Sequence, residues 1–214
     1  QQRIPYSVSN RKRQPEPREF HATVGLHFEQ QQQSLVFVAL FGGVGANGNL
    51  NDHWILECSS NDRKQWAWHP QDTSSTKIPR KRNAHTFSVI KNSSMFQEEY
   101  VLLFGGVNTD VDDQYLSDTW IGRYKYHGKK SETILPLLPA VEFSWTQLKV
   151  PADYPTPSQR AYHAASSIGD GQGIIVYGGW DGNTYLSDAW HFNHDSSWVK
   201  LTMIGDLVNG ISDL

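Results

Sequence analysis

An all-β fold built from repeats is what this sequence predicts, and three observations carry the prediction. The first is a three-part signature that occurs three times in one order. It opens with Arg-x-x-His (Arg18/His21, Arg82/His85, Arg160/His163) and continues with an apolar run closed by paired glycines (Leu35–Gly43, Tyr100–Gly106, Gly173–Gly179). It ends with Leu-(Asn/Ser)-Asp-x-Trp (Leu50–Trp54, Leu116–Trp120, Leu186–Trp190), and a later Trp closes each round: Trp66 or Trp68, Trp145 and Trp198. Self-similarity at long period decides architecture before any local signal does. The second observation is that the apolar runs are short, continuous and bounded by glycine, as in strands buried on both faces. The third is composition: 17 Gly and 10 Pro suit a turn-rich chain, while 8 Trp, 9 Tyr and 9 Phe suit sheets packed face to face.

Each repeat is expected to supply four strands. In the first they fall at 20–28, 35–41, 51–58 and 65–70; in the second at 84–90, 100–104, 117–124 and 144–150; in the third at 162–168, 173–177, 187–193 and 197–203. Arg-x-x-His opens the first strand, and Arg18, Arg82 and Arg160 should be sequestered and paired, because a lone buried charge is costly. The second strand is the apolar run, and Gly42-Gly43, Gly105-Gly106 and Gly178-Gly179 permit the positive φ and close backbone approach of a sharp turn after it. The third strand follows Asp52, Asp118 or Asp188, which can accept N–H bonds from the preceding loop and are candidate partners for the arginines. Trp54, Trp120 and Trp190 then supply packing between sheets. Structure therefore accounts for every repeated residue, including His21, His85 and His163.

These blocks resemble kelch repeats, over roughly residues 16 to 203. The resemblance implies a kelch-type β-propeller with one four-stranded blade per repeat, at about 18–70, 82–150 and 160–203, in a single domain over 1–214 with flanking segments 1–17 and 204–214. Gly43 to Gly106 is 63 residues and Gly106 to Gly179 is 73, against about 50 for a kelch unit, so the excess sits in loops. Propellers have about four to eight blades, and three would leave sheet faces open. Ile4–Val8 with Arg11–Arg18 resembles an outer strand and linker, whereas Met203–Leu214 matches no repeat element. Three resolutions are open: a fragment of a longer chain, a head-to-tail dimer of six blades, or a propeller completed by a host assembly.

Composition removes several function classes. A net charge of −3 argues against a general nucleic-acid binder. The longest apolar stretch, Leu35–Phe41, is far short of the about 20 residues of a membrane span. Gln1-Gln2-Arg3 lacks a signal-peptide pattern, and the missing Met points to a processed start. Cys58 is the only cysteine, so no internal disulfide forms and an intracellular, cytoplasmic location is favoured. Asn92-Ser93-Ser94 fits a glycosylation sequon, a triplet common in cytosolic proteins as well.

No catalytic residue, cofactor or metal ligand is expected. Copper oxidases of the kelch scaffold use a Tyr–Cys cross-link, whereas Cys58 ends a predicted strand away from any cluster. The iron-dependent specifier proteins carry Glu-x-x-x-Asp-x-x-x-His, which does not occur here, nor does Gly-x-Ser-x-Gly or a phosphate-binding glycine loop. His191 and His194, beside Asp195, are three apart on a predicted strand and point to opposite faces. The runs Arg11–Arg13 and Arg80–Arg82 read as solvated linker charge, and Gln30–Gln33 as a polar loop.

Binding is expected in the loops. One rim should hold Gly45–Asn49, Val107–Tyr115, Trp180–Thr184 and the linkers near 71–82 and 151–159, with Trp180, Asp181, Asp110, Asp112 and Asp113 as partner contacts. The other holds Glu29–Ser34, Lys91–Glu99 and the long Gly122–Phe143 insertion, whose Tyr124, Tyr126, Leu135, Leu137 and Leu138 are candidates for docking to another subunit or for covering a sheet edge. The chain thus reads as a non-catalytic protein–protein interaction module or scaffold subunit, with protein partners, a host complex or a second copy completing it. One alternative is the recognition part of a cullin-type ubiquitin ligase adaptor, although no BTB or F-box segment occurs and the rim has few arginines. The other is a metal-dependent kelch enzyme.

Overall fold

The computed structural model describes residues 14–30, 33–58, 66–71, 77–90, 98–127, 141–169, 173–193 and 195–203. Leu135, Leu137, Leu138, Arg11–Arg13, Asn92 and His194 lie outside the described residues. What is described is all-β, with sixteen strands and no helix.

The first four-stranded sheet comprises β1 (Ala22–Gln30) and β2 (Gln33–Phe41), then, after a small hairpin of β3 (Val44–Gly45) and β4 (Gly48–Asn49), β5 (His53–Cys58) and β6 (Trp66–Pro70). The second repeats the plan with β7 (Thr86–Ile90), β8 (Glu98–Phe104), the hairpin β9 (Val107–Asn108) and β10 (Gln114–Tyr115), β11 (Thr119–Tyr126) and β12 (Val141–Gln147). The third has β13 (Ala164–Ser167), β14 (Ile174–Tyr177), β15 (Ala189–Phe192) and β16 (Trp198–Leu201). Within each sheet the strands are antiparallel and in sequence order. β1 lies against β7, and β7 against β13, so the first strands of the sheets stand side by side. Among the described residues the three sheets do not close into a ring.

Alternation along β8 places this middle sheet between the other two. Val101 and Leu103 join a core shared with Leu26, Phe28, Phe37, Phe41 and Ile55 of the first sheet. Leu102 and Phe104, pointing the other way, join Ile174, Val176, Trp190, Phe192 and Trp198 of the third. The apolar run is continuous because both its faces are buried, as its pattern predicts.

Two sequence expectations are corrected here. The first strands begin at Ala22, Thr86 and Ala164, two residues later than predicted, because Phe20, Ala84 and Tyr162 take left-handed φ of 51°, 50° and 59° that interrupts an extended strand. The Gly122–Phe143 insertion is also largely not a loop at its ends: β11 continues to Tyr126 and β12 begins at Val141. With a period of two, Tyr124 and Tyr126 fall on the same face as Trp120 and enter the core at 0% and 3% exposure. Tyr126 stacks on Phe28 of the first sheet, ring centroids 5.8 Å apart. Neither tyrosine is available to a partner.

One arrangement of charges recurs in every repeat. Arg82 Nη1 donates to Asp118 Oδ1 (2.6 Å) and to the Gly105 carbonyl (2.9 Å), Nη2 donates to Asp118 Oδ2 (2.8 Å), and Nε to the Arg80 carbonyl (3.0 Å). Trp120 Nε1 adds a bond to Asp118 Oδ2 at 2.7 Å. Arg18 forms the same set with Asp52, the Gly42 and Glu16 carbonyls and Trp54. Arg160 does so with Asp188, the Gly178 and Ser158 carbonyls and Trp190. Burial alone would raise the Asp118 carboxyl, but the Arg82 hydrogen bonds and charge, with Trp120, hold it below the usual range.

The arginine backbone also joins the sheets. Gly43 N–H donates to the Arg82 carbonyl (2.9 Å), Arg82 N–H to the Leu50 carbonyl (3.1 Å), and Ala84 N–H to the Phe20 carbonyl (2.9 Å). At the next junction Gly106 N–H donates to the Arg160 carbonyl (2.8 Å), Arg160 N–H to Leu116 (3.0 Å) and Tyr162 N–H to Ala84 (3.0 Å). Paired glycines are required at this approach: at Gly105, with φ +64°, a Cβ would sit 2.6 Å from the Arg160 carbonyl of the next repeat, and at Gly106, with φ +98°, 2.7 Å from the Asn83 carbonyl of its own.

Asp118→Asn leaves the fully buried Arg82 guanidinium without its counter-charge, and chemical denaturation should show a loss of roughly 3–5 kcal/mol. The same change at Asp52, twice as exposed (38% against 18%), should cost clearly less.

Candidate interaction surface

The connections between the second and third strands of the sheets gather at one side of the array. Two are stitched together. The Asp110 carboxylate accepts from Asn49 N–H (3.0 Å) and Asn49 Nδ2 (2.9 Å), and Asn83 Nδ2 donates to Asn49 Oδ1 (2.6 Å). The Asn49 backbone and side-chain amides lower the Asp110 carboxyl, with Lys81 3.8 Å away. Asp181 closes its own turn by accepting from Asn183 N–H and Thr184 N–H, both at 2.7 Å, and these bonds lower it likewise. Trp180 is half-buried: its backbone pairs with Ala161, and its ring meets Tyr185 at 4.6 Å between centroids. Of the five rim residues singled out in the sequence, Asp112 and Asp113 are exposed at φ 38° and 46° in the β9–β10 hairpin tip, Asp110 is exposed but held by Asn49, and Trp180 and Asp181 are half-buried.

A groove of about 660 Å³ opens beside these loops on the third sheet. Its wall is aromatic: Tyr115, Tyr162, Tyr177, Trp180 and Tyr185 line it, with Gly178 at its floor. Tyr185 is 87% exposed, Tyr162 56% and Tyr177 50%. The sequence reading did not single out these three tyrosines. A signal existed for one of them: Tyr177 stands immediately before the paired glycines, where the other repeats have Phe41 and Phe104, and a phenol in that place tolerates water at one end.

A second polar group is buried behind the repeat signature. His85 and His163 lie under Phe41 and Phe104, with ring centroids 5.7 and 5.3 Å apart. His163 Nε2 is 2.8 Å from Thr86 Oγ1 of the preceding sheet. Ala22 holds the position equivalent to Thr86, and both His85 ring nitrogens lack a hydrogen-bond partner among the described residues. His53 Nε2 lies 2.8 Å from Tyr124 Oη, against Phe143. Burial pushes His53 and His163 down to about 3, and burial with the Arg82 charge pushes His85 well below its ordinary value. His21, at the same place in the first repeat, is exposed. Among the described residues no group of three or more His, Cys, Asp or Glu side chains is arranged to hold a metal.

No family model matches the chain, and no curated protein matches its sequence. Among solved structures the chain is similar to one described as a cryo-electron-microscopy structure of RAG in complex with one melted and one unmelted RSS. The identity is 16% and the TM-score 0.41, over 88% of this chain and 66% of that one. The chain therefore spans just under two thirds of that chain's length.

The buried imidazoles dictate an acid limit. Unfolded, each titrates near 6.5; folded, each is neutral to well below that, so the native state binds fewer protons in between. Stability is full above about pH 6.5 and is lost as pH falls, by about 1.4 kcal/mol per pH unit and imidazole until the folded pKa is reached. The melting temperature should accordingly drop steeply between pH 7 and pH 5, above the carboxylate range. Ala22→Thr places a hydroxyl opposite His85, as Thr86 stands opposite His163, and thermal or urea unfolding should show a gain of about 1 kcal/mol.

Proposed function

We propose that the chain is a kelch-type β-propeller segment that serves as a non-catalytic protein-interaction module, with the tyrosine-lined face of its third sheet as the binding surface. The observation that carries this reading is the cluster of exposed Tyr162, Tyr177 and Tyr185 around one groove, whose Tyr115 feels the charge of Asp113. Aromatic rings, Tyr above all, are enriched where protein surfaces meet, because they bury much area with little loss of rotamer freedom. The kelch-type assignment draws support from three identical Arg–Asp–Trp arrangements on three four-stranded antiparallel sheets. His85, His163 and the three repeat arginines are consumed by packing and pairing, which leaves the groove and loops to act.

A photo-crosslinking residue at Tyr185 should form protein adducts in native extract, while the same group at exposed Lys149 should not. A folded protein that yields no protein adduct from position 185 would contradict this assignment.

A further inference from the structure

We infer that the groove on the third sheet is the seat for the Arg18–His21 segment of a second copy of this chain, so that two copies join head to tail at two equivalent junctions. The inference rests on the reading of this face as a protein-binding surface, and names its partner.

The two junctions inside the chain show what such a groove takes. In each, the paired glycines and the following Leu receive the backbone of the next repeat's arginine, and the next histidine seats against the aromatic residue before the glycines. A Cβ on Gly42 would meet the Arg82 carbonyl at 2.7 Å and the His85 ring at 3.1 Å; one on Gly105 would meet the Arg160 carbonyl at 2.6 Å and the His163 ring at 2.9 Å. On Gly178 it would meet the Leu186 carbonyl alone, at 3.3 Å. Phe41 and Phe104 are both 0% exposed under their histidines, whereas Tyr177, in their place, is half exposed. Among the described residues, the third sheet presents the same receptor with no insert in it.

The insert exists at the other end of the chain. The Arg18 side chain is already folded into its own pairing with Asp52, and Glu19 pairs with Val44 just as Asn83 pairs with Val107 and Ala161 with Trp180. The segment is thus held in the shape that Arg82–His85 and Arg160–His163 have when seated. Its outer groups remain largely open: His21 is exposed, against 6% and 7% for His85 and His163, and Phe20 is 51% exposed although its ring edge meets Tyr162 of the same chain at 6.0 Å. By equivalence, Gly179 N–H donates to the second copy's Arg18 carbonyl, and the second copy's Arg18 N–H donates to the Leu186 carbonyl. The second copy's Phe20 N–H donates to the Tyr162 carbonyl, and its His21 packs on Tyr177. Both surfaces are preformed, which removes most of the ordering cost of association. A two-fold axis makes the two junctions identical and gives six sheets, within the four to eight of closed rings.

Two substitutions at exposed positions separate the halves. Ala164 holds the place of Thr86, facing the histidine site, so Ala164→Trp fills the socket; His21→Asp spoils the plug. Sedimentation equilibrium of the unmodified chain should give twice 24.3 kDa, and each variant should run as a monomer with its cooperative melt retained. Mixing the two variants should restore a heterodimer, since the Ala164→Trp chain keeps an intact plug and the His21→Asp chain an intact socket. A monomeric unmodified chain, or a dimer that neither variant weakens, overturns the inference; if one variant fails to fold, the other decides. Adducts from position 185 to a different protein, with a monomeric chain, would overturn the second copy as partner while leaving the binding face standing.

Discussion

A buried guanidinium is tolerable only when each of its nitrogens is hydrogen-bonded and its charge is met, and in this protein that requirement determines where the chain turns. Arg82 satisfies it with one carboxylate and two carbonyls, drawn from the loop before it, the paired glycines and the start of the third strand. Three segments distant in sequence are thereby held at one point, and the tryptophan two residues after the aspartate is fixed by the same carboxylate. A buried ion pair of this kind contributes less to stability than to uniqueness: a misregistered strand would leave an arginine buried without its partner. Because the backbone of the same arginine bonds the previous sheet, order within one sheet and order between sheets are set together.

Burial of both faces of the middle sheet follows from that coupling, and so does the difference between inner and outer surfaces. Leu102 and Leu103 are equally buried though they point in opposite directions, because a sheet stands on each side. At β14, by contrast, Ile174 and Val176 are buried and Tyr177 is half exposed. The same repeated sequence thus makes a core where a neighbour is present and an exposed aromatic surface where, among the described residues, it is not.

Much of this was legible beforehand from residue type and spacing. Four strands per repeat follow from the apolar runs and glycines, and the pairing of Arg18, Arg82 and Arg160 with Asp52, Asp118 and Asp188 follows from the cost of burying a charge alone. Other features were hidden for physical reasons. The left-handed residues Phe20, Ala84 and Tyr162 delay the first strands, and nothing in a Phe, Ala or Tyr announces positive φ. Tyr124 and Tyr126 sit among Arg123, Lys125 and His127 and look like an exposed basic loop, yet alternation sends the tyrosines inward and the cations outward once β11 is extended. Asp110 and Asp181 look like free acidic contacts because the backbone amides that occupy them come from loop geometry, part of it contributed by a residue of another repeat.

The measurement that bears most directly on this account is native-state amide hydrogen exchange at the two internal junctions. If the arginine nodes hold the sheets together, the amides of Gly43, Arg82, Gly106 and Arg160 should exchange only through global unfolding, at the rate of the central amides of β8 and β11. Exchange of those four amides as fast as that of the β9–β10 hairpin tip would mean that the sheets open independently, and that the node is an ornament of each sheet and not the joint between them.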